Sequence, residues 1–338
     1  MIPDDKSSAV SRALNEAFGT STIDSIEKMT RGLSSDLVFR IVVHGSPFLL
    51  RILTQMDERN DPARVFTCMQ SAADAGVAPR VHYSSVQDGI AIIEWIEDVP
   101  FPRTEALIQL PALIRRLHGL APFPKTFNYV TAHKFFIWRF RSAGLVPEDE
   151  VKAVFERYDQ ICAAYPRLDS DMVSCHQDLK PENILFDGRR PWLIDWQAAF
   201  VNDRYFDLAV PSNFVVANDA EECVYLERYL GEPAEEYRMA RFFLMRQALH
   251  LLSATVFLLL GSKGKPLPQG VDVPPFREFH DRIWAGEIDL RDHDLKITYG
   301  LVHWVRLVQN LSDSRFDESL RRVASQNRGA ELLFPGHS

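Results

Sequence analysis

With 338 residues, 46% of them hydrophobic, the chain is long enough to bury a sizeable core and to form two domains or lobes. Its formal net charge of −8, without a long basic run, argues against nucleic acid as the main partner, because neutralising phosphates takes clustered Lys and Arg. Cys68, Cys162, Cys175 and Cys223 lie far apart with no C-x-x-C pair, which speaks for reduced thiols in cytoplasm and against a zinc site or disulfide framework.

The opening MIPDDKSSAV is acidic, lacks an apolar core and does not read as a secretory signal. Residues 7–18 place Ala9, Val10, Ala13, Leu14, Ala17 and Phe18 on one helical face, and Gly19 ends the run. Residues 23–30, 37–43 and 48–53 follow as strands, the second alternating Leu37, Phe39, Ile41 and Val43. Between the first two lies RGLSSD. There Gly32 and the small Ser34 and Ser35 let backbone N–H groups approach phosphate oxygens, although a plain hairpin turn has the same composition. Strand three ends FLLRI, with Arg51 set among Phe48, Leu49, Leu50 and Ile52 as a charged fork toward phosphates or, on the plainer reading, a snorkelling surface side chain.

Asp61-Pro62 is a good helix start, and the helix is expected to run to Gly76. Residues 81–86 and 90–96, joined by Gln87-Asp88-Gly89, complete a five-stranded antiparallel sheet. Pro100 and Pro102 then suit a lobe boundary. Beyond residue 103 the pattern turns helical over 106–120, 127–143 and 148–165, and after residue 195 helices return, with the apolar runs 242–260 and 297–311 central. The most apolar part, residues 251–260, falls short of the ~20 residues of a membrane span and reads as a buried helix.

The chemistry concentrates in CHQDLKPENILFDGRRPWLID, residues 175–195. Phosphoryl transfer needs a carboxylate to orient the attacking hydroxyl and take its proton, a role that suits Asp178 at the apex of the loop. A metal bridging phosphates needs hard oxygen ligands, which Asn183 and Asp195 offer from the two ends of a hairpin turning at Asp187-Gly188. Lys180, two residues beyond the base, supplies positive charge for the transferring group.

His176, Asp178, Leu179 and Asn183 fit H-x-D-L-x-x-x-N, and this loop resembles that of eukaryotic-type protein kinases. The longer run, with LIDW and then YFDLA at residues 205–209, resembles the aminoglycoside phosphotransferase and choline kinase branch of that superfamily. The resemblance implies a two-lobed α+β, protein-kinase-like fold: a nucleotide-binding lobe over residues 1–97 and a larger, mainly helical catalytic and substrate-binding lobe over 98–338. It implies ATP or GTP and Mg2+ as cofactors. Gly32, Ser34 and Ser35 lie in a GLS-type loop similar to that of choline kinases, Arg51 faces the α- and β-phosphates, and the linker holding Glu94 and Ile96 meets the adenine. It also gives His176 a bracing role and has Asp207 brace the catalytic loop, while Asp203 is most simply a surface loop acid.

One feature departs from the family, which carries a Glu in the helix after strand three. Residues 63–75 contain no Glu, only Arg64 and Asp74 as charged groups, so either Arg51 is held by something else or the pair waits for nucleotide.

The function this implies is ATP-dependent O-phosphorylation of a small-molecule hydroxyl acceptor, with no nucleic-acid or membrane partner. A catalytically inactive nucleotide-binding module is the alternative, and a protein kinase is disfavoured because only eleven residues separate Asp195 from Asp207, with no APE. Trp284, Trp304 and Glu287, with Phe276, Phe279, Asp289, Asp292 and Asp294 nearby, suggest a cationic acceptor such as a choline- or ethanolamine-like alcohol or an aminoglycoside. The competing reading makes the aromatics core and the acids a solvated loop.

Overall fold

The structure, a computed structural model, describes residues 2–29, 36–55, 61–124, 129–268 and 270–333. Its elements in chain order begin with α1 (Asp4–Phe18), β1 (Ser25–Met29), β2 (Leu37–Val43), β3 (Ser46–Ile52), α2 (Pro62–Asp74), β4 (Val81–Ser85) and β5 (Ile90–Glu94). There follow α3 (Arg103–His118), α4 (Tyr129–Ala143), α5 (Glu148–Ala164), β6 (Met172–Cys175), β7 (Ile184–Phe186), β8 (Pro191–Leu193) and β9 (Phe200–Asp203). The chain ends with α6 (Arg204–Val215), α7 (Asp219–Leu230), α8 (Glu236–Ser262), α9 (Phe276–Trp284), α10 (His293–Leu311) and α11 (Ser314–Leu333).

These elements group into two compact units, Met1–Pro102 with Leu113–Thr126 and Val173–Val201, and Arg103–Ala112 with Phe127–Met172 and Asn202–Ser338. The grouping cuts across the expected division after residue 97, because backbone bonds tie the β7–β8 hairpin to the first unit. Leu193 N donates to Val77 O at 3.0 Å, and Val99 N donates to Phe186 O at 2.8 Å.

In the first unit the five strands pair in the order β1-β2-β3-β5-β4, every neighbour antiparallel. The order follows from the chain: β1 to β3 form a meander, α2 intervenes, and the β4–β5 hairpin then docks its second strand on β3. Alternation buries Phe39, Ile41 and Val43 of β2, Leu50 and Ile52 of β3, and Ile90 and Ile92 of β5 on one face, where α1 adds Ala9, Val10, Ala13 and Leu14. Each fully buried Leu, Ile or Phe there contributes about 1.5–3 kcal/mol. Gly19 closes α1 at φ 72, a conformation that a side chain would oppose. α2 starts as expected, with Pro62 in its first turn and the Asp61 carboxylate accepting from Ala63 N at 3.0 Å.

In the second unit α8 packs against α4, α5, α6, α10 and α11. It is long and apolar enough to cross a membrane by composition, yet 67% of its apolar window is buried within the structure, as in a core helix. Gly300 of α10 allows close approach to α8, since a Cβ there would fall 2.7 Å from Leu258 Cγ. Asp203, expected as a surface acid, is instead 1% exposed. It caps α6 by accepting from Tyr205 N at 2.9 Å and sits 3.6 Å from the Arg241 guanidinium, which also pairs with Asp171. Burial pushes the Asp203 carboxyl up to about 6 despite Arg241.

Candidate active site

The β7–β8 hairpin sets the site. Ile184, Leu185 and Phe186 pair with Leu193, Trp192 and Pro191, and Gly188 turns the chain at φ 85. Asp187 fixes that turn by accepting from Arg189 N and Arg190 N, both at 2.8 Å, and from Trp192 Nε1 at 2.8 Å. Asn183 and Asp195 flank the two paired strands, so the hairpin holds the two proposed metal ligands in fixed relation.

The loop before it is braced from within. His176 is fully buried; its Nε2 donates to Ile194 O at 2.9 Å, its Nδ1 accepts from Asp178 N at 3.3 Å, and its ring meets Trp196 edge-on at 4.8 Å. Both ring nitrogens are therefore occupied, and the ring positions the loop. Gln177 and Asp195 adopt left-handed φ values of 65 and 69, unusual for residues other than glycine and costing of order 1 kcal/mol or more. Such backbone strain, placed beside Asp178 and at Asp195, is what an over-determined functional loop tolerates.

Asp178 receives two charge-assisted contacts on Oδ2, from Lys180 Nζ at 2.7 Å and Asn183 Nδ2 at 2.8 Å. Its Oδ1 has no bond to the described residues and is open to an incoming hydroxyl, with the side chain 37% exposed. Burial works against charge on Lys180, but Asp178, Glu182 and Asp195 outweigh it and raise its pKa. Asn183 also donates from Nδ2 to Asp178 O at 2.8 Å, which fixes the amide so that Oδ1 is the atom facing away.

Arg51 and Asp195 meet in the same unit. Arg51 stands next to last in β3, opposite Val38 and Ala91, and alternation points it away from the face that packs on α1. Its Nη2 donates to Asp195 Oδ1 at 3.0 Å and to Asp36 Oδ2 at 2.8 Å, and its Nε to Asp36 Oδ2 at 3.0 Å. Burial disfavours the charged guanidinium, yet Asp195 and Asp36 raise its pKa above the usual value. Burial likewise pushes the Asp195 carboxyl up, and Arg51 reverses this and holds it below the usual range. Asp195 Oδ2 and Asn183 Oδ1 carry no bond to the described residues, so this donor set, two hard oxygens beside an ion pair, suits a divalent cation such as Mg2+.

The remaining sequence candidates are placed as follows. Gly32, Ser34 and Ser35 lie outside the described residues. Glu94 closes β5, its N–H committed to Arg80 O at 2.8 Å, while Ile96 is 9% exposed in the linker that follows. That linker is anchored by Asp98 Oδ1, which accepts from Phe186 N at 3.0 Å, and by Phe101 stacked on Phe186 at 4.2 Å. In the second unit Trp284 lies against Phe214 at 6.4 Å and Trp304 stacks on Phe140 at 6.0 Å. Glu287, 59% exposed, pairs with Arg282 at 3.4 Å, and Asp292 serves as the α10 cap, so these two carboxylates are used locally.

Sequence reading missed Asp36. It lies two residues before Val38, the cross-strand partner of Arg51, so strand parity places it diagonally across from Arg51 on the same face, within reach of a long side chain. The signal was available once the register was fixed.

The comparisons with known proteins agree with this architecture. Over 119 residues, 35% of this chain and 33% of the relative, the sequence is 29% identical to protein LicA of Haemophilus influenzae, so the chain spans about a third of that curated relative. A choline/ethanolamine kinase family protein from Mesorhizobium loti superposes with a TM-score of 0.68 at 21% identity, covering 96% of this chain and 100% of the other. Choline kinase LicA from Streptococcus pneumoniae gives 0.57 at 17% identity, covering 91% and 99%. These likenesses show a kinase-like α+β fold. The model of the Phosphotransferase enzyme family matches residues 25–243, well over half of the sequence, and the chain belongs to that family.

Proposed function

We propose that the protein transfers the γ-phosphate of ATP to a hydroxyl of a small, amine-bearing acceptor. The observation that carries this reading is Asp178, with one carboxylate oxygen pinned by Lys180 and Asn183 and the other open. A carboxylate so held orients a hydroxyl and accepts its proton as the phosphoryl group departs. Lys180, already against Asp178, is the cation available to charge developing on the transferred group. Asn183 and Asp195 would hold Mg2+, which when bound neutralises and aligns the phosphates. Arg51 orients Asp195 from one side and offers a phosphate-facing charge from the other. Because Asp178, Lys180, Asn183 and Asp195 are all present and mutually supported, an inactive nucleotide-binding module is the weaker reading.

The amine-bearing acceptor is supported by the likeness to kinases described as acting on choline and ethanolamine. Trp284 and Trp304 are the aromatic faces offered for a cation, which gains up to ~2 kcal/mol over a desolvated Trp ring. Glu287, which would have to leave its 3.4 Å pairing with Arg282, is the carboxylate proposed alongside them. The test is Mg2+-dependent ADP release from ATP with choline, ethanolamine, kanamycin, a macrolide and a neutral sugar offered in turn. Turnover with a cationic alcohol or the aminoglycoside is expected. Phosphorylation confined to the uncharged sugar, or unchanged acceptor affinity in both Trp284→Ala and Trp304→Ala, would remove the cationic acceptor.

A further inference from the structure

α2 is PARVFTCMQSAAD, and its one acid, Asp74, is exposed near the C-terminus and accepts from Gln70 at 2.7 Å. A carboxylate inside this helix is therefore not what holds Arg51. The helix is tied down by a different residue: Arg64, 2% exposed, donates from Nη1 to Ala199 O and from Nη2 to Gln197 O, both at 2.9 Å, with its guanidinium 4.1 Å from the Phe200 ring. That side chain binds α2 to the segment after Asp195 through neutral carbonyls and leaves the phosphate-facing arginine to another partner.

The partner is Asp36, whose side chain is 2% exposed against 10% for Arg51. A carboxylate so deeply buried is stable only when its oxygens are filled, and Oδ2 here accepts three donors: Arg51 Nε, Arg51 Nη2 and Gln197 Nε2, the last at 2.9 Å. Gln197 follows Asp195 by two residues, so Asp36 is bonded to both ends of the Arg51–Asp195 pair's surroundings. Arg51 Nη1 makes no bond to the described residues and is the donor left for a phosphate oxygen.

We propose that Asp36 is the positioning residue for Arg51, replacing a helix carboxylate with one carried immediately before β2. In this arrangement Asp36, the arginine and the Asp195 carboxylate form one connected unit, and the register of β2 on β3 sets the arginine's aim. The charge on α2 has no part in it. This rests on the nucleotide-binding reading above.

The experiment measures MgATP affinity with a fluorescent ATP analogue, together with KM and kcat, for wild type, Asp36→Asn, Asp36→Glu, Arg51→Ala, the Asp36→Asn/Arg51→Ala double variant, Gln197→Leu and Asp74→Asn. Asp36→Asn is expected to weaken MgATP binding and raise its KM by about tenfold, within the range of coupled contacting residues, while the acceptor KM stays put. Asp36→Glu recovers part of the loss, Gln197→Leu shows a smaller loss of the same kind, and Asp74→Asn behaves as wild type. In the Arg51→Ala background Asp36→Asn adds nothing further, an outcome that a general loss of stability does not produce. An equal effect in both backgrounds, an Asp36→Asn or Gln197→Leu protein with wild-type MgATP affinity, or a nucleotide defect in Asp74→Asn overturns the proposal. A wild-type protein that binds no nucleotide removes the kinase reading itself and this proposal with it.

Discussion

Two clusters of buried ionisable side chains, one in each unit, are held in opposite ways. In the first, Arg51, Asp36 and Asp195 go in charged and are paired within 3.0 Å. In the second, His250, His280 and His303 are each at most 1% exposed and go in uncharged. His250 and His303 share one contact, Nδ1 to Nδ1 at 2.9 Å, and His280 Nδ1 donates to Phe276 O at 2.8 Å. Around them stand the rings of Phe276 and Tyr299, while Arg246, Arg277 and Arg306 disfavour any further positive charge. Burial alone holds His303 at about 3, and His250 and His280 lie well below the ordinary value. Pairing preserves a charge for use; neutralisation removes one for packing. Buried ion pairs also hold the second unit together, at Arg241 with Asp171 and at Arg246 with Glu222, so the Arg51 pairing marks a candidate site only together with the Asp178 loop.

The comparison can be broken most decisively at Asp195. Asp195→Asn removes the anionic member of the proposed Mg2+ pair, and Mg2+-dependent nucleotide affinity is expected to fall by at least the ~10–100-fold that even an outer metal partner costs. A Mg2+ titration of nucleotide binding reads this directly. Unchanged Mg2+ dependence would mean that the pair is structural, as in the second unit.

A smaller effect sharpens the other side. His250, His280 and His303 have folded-state pKa values below the unfolded ~6.5, so the unfolded chain binds more protons throughout that interval. Their contribution is complete above pH ~6.5 and is lost as pH falls toward the folded-state values, about 3 for His303, with a slope of up to ~1.4 kcal/mol per pH unit for each histidine. The apparent melting temperature is expected to fall steadily from pH 7 to pH 5. A flat profile over that interval would show that these imidazoles are not buried uncharged.

Much of this was legible before the structure. The five antiparallel strands follow from alternation and turn residues, and α2 begins where Asp61-Pro62 places it. That Asp178, Lys180, Asn183 and Asp195 lie together was legible because they are local: one loop and one hairpin carry all four. What was not legible depends on contacts distant in sequence. Asp36 reaches Arg51 only through the register of β2 on β3, and Gln197 joins them from a separation of 161 residues. Asp203 looked like a loop acid because its partners, Asp171's neighbour Arg241 and the α6 backbone, do not announce themselves in one dimension. The aromatic stretch near Trp284 was ambiguous for the same reason, since core and pocket share a composition.

Asp178 carries the central claim. Turnover and MgATP affinity of Asp178→Asn, measured side by side with whichever acceptor supports wild-type activity, test it most directly. The account expects turnover to drop by at least ~10²-fold, as for a lost general base, with nucleotide affinity nearly intact. Turnover at the wild-type rate, or a loss confined to nucleotide binding, would contradict it.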